Sequence, residues 1–136
     1  MTILFLVGAI VMGVIVLAVL IRLNRKKPRS LNKKYFENRW LELLTRVRTG
    51  YDGMILAVID ADKLLDEALK KQKYKGRAMG ERLVAAQRTL TNNDAVWYAH
   101  KLRNRLVHEP SIRLKKNEAK DALAGIRQGL KDLGAL

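Results

Sequence analysis

From Thr2 to Ile21 the chain carries no charged side chain and consists almost entirely of Ile, Leu, Val, Ala, Phe, Met and Gly. At about 1.5 Å of rise per helical residue such a run covers roughly 30 Å, the thickness of the hydrocarbon core of a bilayer. A helix apolar on every side is hard to bury within a chain of 136 residues, so a bilayer is its natural solvent. A cleaved signal peptide would carry positive charge before the apolar run and a small-residue cleavage site after it, and both are missing. Residues 1–21 therefore read as a single transmembrane helix. Ala9 and Gly13 form a small-xxx-small pair that would let two such helices approach closely.

The charge that follows sets the expected topology. Lys and Arg number 27 against 13 Asp and Glu, a formal net charge of +14. Half of that excess comes from Arg22, Arg25, Lys26, Lys27, Arg29, Lys33 and Lys34, a stretch with no acidic residue. The positive-inside rule places this side in the cytoplasm and Met1 outside, giving a single-pass protein of the cell membrane with a cytoplasmic C-terminal domain. The same basic run suits anionic headgroups, with RNA contact as a second use. Pro28 and Ser30 mark residues 22–34 as a juxtamembrane linker rather than a continuation of the helix. The absence of cysteine excludes a disulfide scaffold, thiol catalysis and cysteine-ligated metal.

Residues 35–136 are enough for one domain with a modest core. Phe36, Trp40, Leu43, Leu44, Val47 and Tyr51 recur at three- and four-residue spacing and predict a first helix whose end is bracketed by Gly50 and Gly53. Ile55, Val58, Ile59, Leu65 and Leu69 predict a second, broken at Lys73–Gly76. A third runs from Met79 to about Leu90 and a fourth from Asp94 to His108, with Asn92 and Asn93 offering its cap and Pro110 forbidding its continuation. Ala119, Ala122, Leu123, Ile126, Leu130 and Leu133 predict a fifth. No alternating pattern is long enough for a sheet, and the expected fold is all-α, one transmembrane helix plus a four- to five-helix bundle.

Two polar irregularities interrupt these stripes. On the fourth helix Ala95, Ala99, Leu102 and Leu106 make a core face, while His100, Arg103, Asn104 and His108 share another arc with Val96, Trp97 and Val107. On the second, Asp62 lies within the apolar stripe with Asp66 beside it. An unpaired carboxylate in a core costs several kcal/mol, so Asp62 should face the fourth helix and pair with Arg103, His108 or His100. Such a pair is either a core-edge contact that sets helix register or part of a site.

The run His100-Lys-Leu-Arg103-Asn104-Arg105-Leu106-Val107-His108 resembles the R-x4-H motif of HEPN domains, in which an Arg, a polar residue after it and a downstream His close a long helix. The helical hairpin before it and the single helix after it extend the resemblance over residues 35–136. The resemblance implies a helical bundle, often a homodimer, whose catalytic members cleave RNA without metal or cofactor where two motifs meet. Arg103 would then hold phosphate, Asn104 would orient it or the imidazole, and His108 would move the proton. His100 has no counterpart in the motif and reads as a helper or a packed imidazole. Pro110 stands where the toxin branch of the family usually has Tyr, so that branch's control by tyrosine modification has no counterpart here.

Two basic clusters, Lys73, Lys75 and Arg77 in one loop and Arg113, Lys115 and Lys116 in another, offer footing for an RNA backbone or are solvated faces. Gly76–Gly80 is no phosphate loop, since the Lys-Ser/Thr that would follow is missing. A non-catalytic tethered module that binds nucleic acid, a nucleotide or a protein partner is the alternative to the nuclease.

Overall fold

The computed structural model describes residues 1–23 and 29–136 and, among these, contains six helices and no strand. Arg25, Lys26, Lys27 and Pro28 of the basic linker lie outside the described residues. Helix α1, Thr2–Leu23, is long and apolar enough to cross a membrane, and none of its residues is buried by the rest of the chain.

The bundle begins with α2, Lys33–Val47, where the side chain of Asn32 accepts the Tyr35 N–H at 3.1 Å and satisfies one of the donors that every helix start leaves free. Its apolar stripe buries Phe36, Trp40 and Leu43. A tight turn then leads to α3, Tyr51–Lys71. Gly50 takes φ +113°, in the left-handed region, and a side chain at Gly53 would collide with the backbone of Arg46. Gly53 therefore belongs to α3 and not to the end of the preceding helix, and Tyr51 opens α3 instead of closing the first stripe.

Helix α3 is the centre of the bundle, with α2, α4, α5 and α6 all packed on it. That position explains its composition, since Ala57, Ala61 and Ala68 are buried alongside Val58, Leu65 and Leu69 and leave room for neighbours on several sides. Helix α4, Met79–Ala86, is short and ends before Leu90, which is buried outside it. Helix α5, Asn93–His108, starts with Asn92 accepting the Ala95 N–H at 3.1 Å and stops ahead of Pro110, with Glu109 held extended as residues before proline are.

Helix α6, Lys116–Asp132, lies antiparallel on α5. Gly125 permits the close approach, because a Cβ there would sit 2.7 Å from the Ala95 carbonyl oxygen. Val96 faces this contact and is fully buried, so it belongs to the core and not to the mixed arc expected from the sequence. Ala95 and Leu106 are half-buried at the margin.

The ends of the helices define two poles. At one, the Gln72 side chain donates to the Leu133 carbonyl at 2.7 Å and exchanges a pair of hydrogen bonds with the backbone of Arg29, at 2.7 and 2.8 Å. The chain arriving from α1 is thus fastened where α3 and α6 end. At the other pole, the Tyr51 hydroxyl accepts the Leu114 N–H at 2.8 Å and ties the loop after α5 to the start of α3. The length of α3 separates the two, about 30 Å at 1.5 Å per residue.

Candidate functional site

The buried carboxylate of Asp62 faces α5. Its side chain is 4% exposed, and His100 Nδ1 lies 3.0 Å from Oδ1 and 3.2 Å from Oδ2. Because an ionised carboxylate can only accept, Nδ1 is the donor to Asp62, and in a neutral imidazole Nε2 is then left as an acceptor. The Asn104 amide nitrogen stands 3.4 Å from that Nε2, one helical turn along α5. The amide oxygen of Asn104 in turn accepts from Arg103 Nη1 at 2.9 Å. Arg103 Nε completes the circuit 3.6 Å from Asp62 Oδ2, an ion-pair distance too long for a hydrogen bond, so the buried Nε has no hydrogen-bond acceptor among the described residues.

Four side chains from two helices thus form a closed ring of three hydrogen bonds and one ion pair. His100, set aside by the motif, is the residue nearest to Asp62, and Arg103 is second. The imidazole and the Trp97 ring meet in a T-shaped pair at a centroid distance of 6.0 Å. The ring borders a cleft of about 360 Å³ that Lys63 and Asp66 of α3 and the first turn of α4, Ala78–Gly80, also line.

A second buried pair stands beside it. Arg82 Nε and Nη2 meet the two oxygens of Asp66 at 2.7 and 2.9 Å, and Arg82 Nη1 donates to the Gly76 carbonyl at 2.7 Å. Burial pushes the Asp66 carboxyl up, but hydrogen bonds from Arg82 and Lys70 and the charges behind them outweigh it and hold Asp66 below the usual carboxylate range. The sequence carried a signal for this pair, since Arg82 falls at three- and four-residue spacing on the face that Met79 and Ala86 share, as Asp66 falls within the apolar stripe of α3. Its task is to fasten α4 and the loop before it to α3.

His108 does not join the ring. It is the last residue of α5 and exposed, with no side-chain hydrogen bond or ion pair among the described residues. Five residues of helix turn it about 140° around the axis from Arg103, which places the two on different sides of α5. A larger concavity of about 470 Å³ opens near this pole between Tyr51, Ile55, Leu106 and the loop from Glu109 to Arg113.

The basic candidates fall into the two places their loops dictate. Lys73, Lys75 and Arg77 are exposed in the segment joining α3 to α4, next to the cleft. Arg113, Lys115 and Lys116 are exposed around the start of α6, at the same pole as His108. Among the described residues no three His, Asp or Glu side chains converge as a metal site would require. Compared with known proteins, the chain matches no family model, no curated sequence and no solved structure.

Proposed function

We propose that the chain is a single-span membrane protein whose HEPN-like bundle, on the cytoplasmic side, binds RNA at the C-terminal half of α5 and cleaves it without a metal as a homodimer. The observation that carries this reading is the division of labour on α5: a guanidinium held ready by Asn104 at 2.9 Å, and an imidazole free at the helix end. In the reaction His108 would exchange a proton with the ribose 2′-OH or the leaving oxygen, and Arg103 would stabilise the charge that develops on phosphate. The angular separation of the two residues favours a second copy in this reading, with Arg103 of one chain and His108 of the other meeting the same phosphate. The clusters at Arg113, Lys115 and Lys116 and at Lys73, Lys75 and Arg77 supply positive charge for the backbone on either side.

The topology of the reading comes from the basic residues that follow α1. With the chain fastened at the Gln72 pole, this topology would leave His108 and the Arg113–Lys116 cluster at the pole away from the attachment point.

A second reading keeps the anchor and the bundle and drops the chemistry. It is favoured by the occupation of Arg103, whose Nε faces Asp62 and whose Nη1 is taken by Asn104. In that case the same face binds RNA, a nucleotide or a protein partner and cleaves nothing.

The test is incubation of the full chain in lipid nanodiscs with single-stranded RNA in EDTA. Cleavage by the parent that is lost in both Arg103→Ala and His108→Ala supports the nuclease. Cleavage that survives in either variant removes the assignment. RNA binding that weakens with salt in the absence of any cleavage selects the second reading, since phosphate contacts release counterions.

A further inference from the structure

The ring of Asp62, His100, Asn104 and Arg103 has only one consistent arrangement of hydrogens. Asp62 accepts from Nδ1 of His100, Nε2 of His100 accepts from the Asn104 amide, and the Asn104 oxygen accepts from Arg103. Each of these three donors is opposite one acceptor, and the orientation of the Asn104 amide follows from its two neighbours. We infer that His100 is a positioning residue that holds the Arg103 guanidinium through Asn104, and that a second proton on its imidazole releases Arg103 into the cleft.

The reason is a conflict of donors. An imidazolium carries hydrogen on both nitrogens, so Nε2–H would face the N–H of Asn104 across 3.4 Å. Turning the Asn104 amide over removes that conflict and creates another, because its nitrogen then faces Arg103 Nη1 and the 2.9 Å acceptor is lost. The new positive charge also competes for Asp62, the carboxylate that Arg103 Nε faces at 3.6 Å without a hydrogen bond. All four members line the open cleft, and Arg103, whose Nε has no acceptor and whose side chain is 26% exposed against 13% for His100 and 4% for Asp62, is the least secured and the one that moves.

Charged groups reach this cleft from two of the three helices that line it. From α3 the cleft receives Asp62, Lys63 and Asp66, and from α5 Arg103 and Asn104, while α4 presents only Ala78, Met79 and Gly80. Asp66 is already committed to Arg82 and Lys70. Trp97 packs on the other side of the imidazole and has no titrating group. The consequence for RNA rests on the function proposed above: a released Arg103 would bind phosphate more tightly, and acidification would raise RNA affinity several-fold.

The experiment follows the Arg103 Nε–H and the His100 ring by NMR in the full chain, in phosphatidylcholine nanodiscs, from about pH 8 to about pH 5. The expected result is an Arg103 resonance that shifts along the titration curve of His100 in the parent and stays flat in His100→Gln, whose amide oxygen accepts from Asn104 at every pH. Asn104→Asp is the second variant, since a carboxylate accepts from both neighbours and should likewise keep Arg103 in place. An Arg103 signal that ignores the His100 titration in the parent overturns the inference, as does coupling that persists in both variants. Affinity for a poly(U) oligonucleotide is measured on the same samples. Coupling without any difference in RNA affinity between the parent and the variants leaves the release intact and instead removes Arg103 from the proposed RNA contact.

Discussion

At the scale of single residues, buried charges in this bundle are tolerated where their partners are complete. Asp66 and Arg82 satisfy each other through two hydrogen bonds, and a third reaches the Gly76 carbonyl. Arg82→Ala removes two hydrogen bonds from a carboxylate only 15% exposed and leaves it Lys70 alone at 2.8 Å, so the variant should lose about 1.5–3 kcal/mol in urea unfolding. The pH dependence has a definite sign. The folded Asp66 carboxyl lies below its unfolded value, so its contribution is fully present above the unfolded pKa and is lost as pH falls through the folded one. Asp66→Ala should therefore be most destabilised near neutrality, with the gap to the parent shrinking as both are acidified. A gap that stays constant down to about pH 2 would place the effect in packing instead of charge.

Single residues also mark the limit of reading the site from a helical wheel. The placement of Asp62 against α5 follows from its position in an apolar stripe, because a carboxylate there must find a cation or a donor. Which partner it finds does not follow. His100 and Arg103 are three residues apart on one face of α5, and the choice between them is made by the crossing of α3 and α5. For His108 the wheel arc was too generous, since the last residue of a helix has no following turn to pack against and turns outward.

At the scale of helices, the elements end where local chemistry stops them and pack where small residues permit. The spacing of apolar residues found all six helices. The errors of boundary fell at the end of α4, which stops at Ala86 instead of near Leu90, and at the joint between α2 and α3, where Tyr51 and Gly53 continue the first pattern across a turn that only the steric demand at Gly53 reveals. Gly125 plays the corresponding part between α5 and α6. Gly125→Ala should destabilise the bundle by about 1–3 kcal/mol through overpacking against the Ala95 backbone, read as a lowered thermal midpoint. The end of α3 offers the opposite case. Lys73 holds φ +63° while its N–H and that of Tyr74 reach back to the carbonyls of Lys70 and Leu69 at 2.9 and 3.1 Å. A glycine takes that conformation without the clash of a Cβ, so Lys73→Gly should stabilise by about 0.5–1 kcal/mol despite losing a charge. The same variant asks whether Lys73 contributes to RNA affinity, since its charge and its strain are removed together and only the second affects unfolding.

At the scale of the whole molecule, the segment that follows α1 is fastened at one pole and the exposed end of α5 lies at the other. Arg29 is fastened to Gln72, and Tyr51 fastens the loop beyond His108. A chain with α1 intact should sediment with membranes after carbonate extraction, and a chain lacking residues 1–23 should not. Release of the intact chain by carbonate would reduce α1 to a peripheral contact and remove the anchor from the proposal. Gln72→Ala should leave the membrane association unchanged and loosen only the way the bundle hangs from the tether, seen as faster proteolysis around Arg29.

The sequence by itself determined what depends on neighbours three and four residues away or on bulk composition. Those are the all-helical class, the apolar segment long enough to span a bilayer, the cap at Asn92, the stop at Pro110 and the need of Asp62 for a partner. Only the tertiary structure decided what depends on distances between helices: that His100 stands closest to Asp62, that Asn104 links it to Arg103, that Arg82 takes Asp66, and that His108 stands apart. The physical reason is the range of the interactions. Helix propensity and amphipathic spacing act within a turn or two and are written in order along the chain. A ring of hydrogen bonds needs donor and acceptor placed to within a few tenths of an ångström, and that placement is set by how α3, α5 and α6 pack around Gly125, Val96 and Leu65.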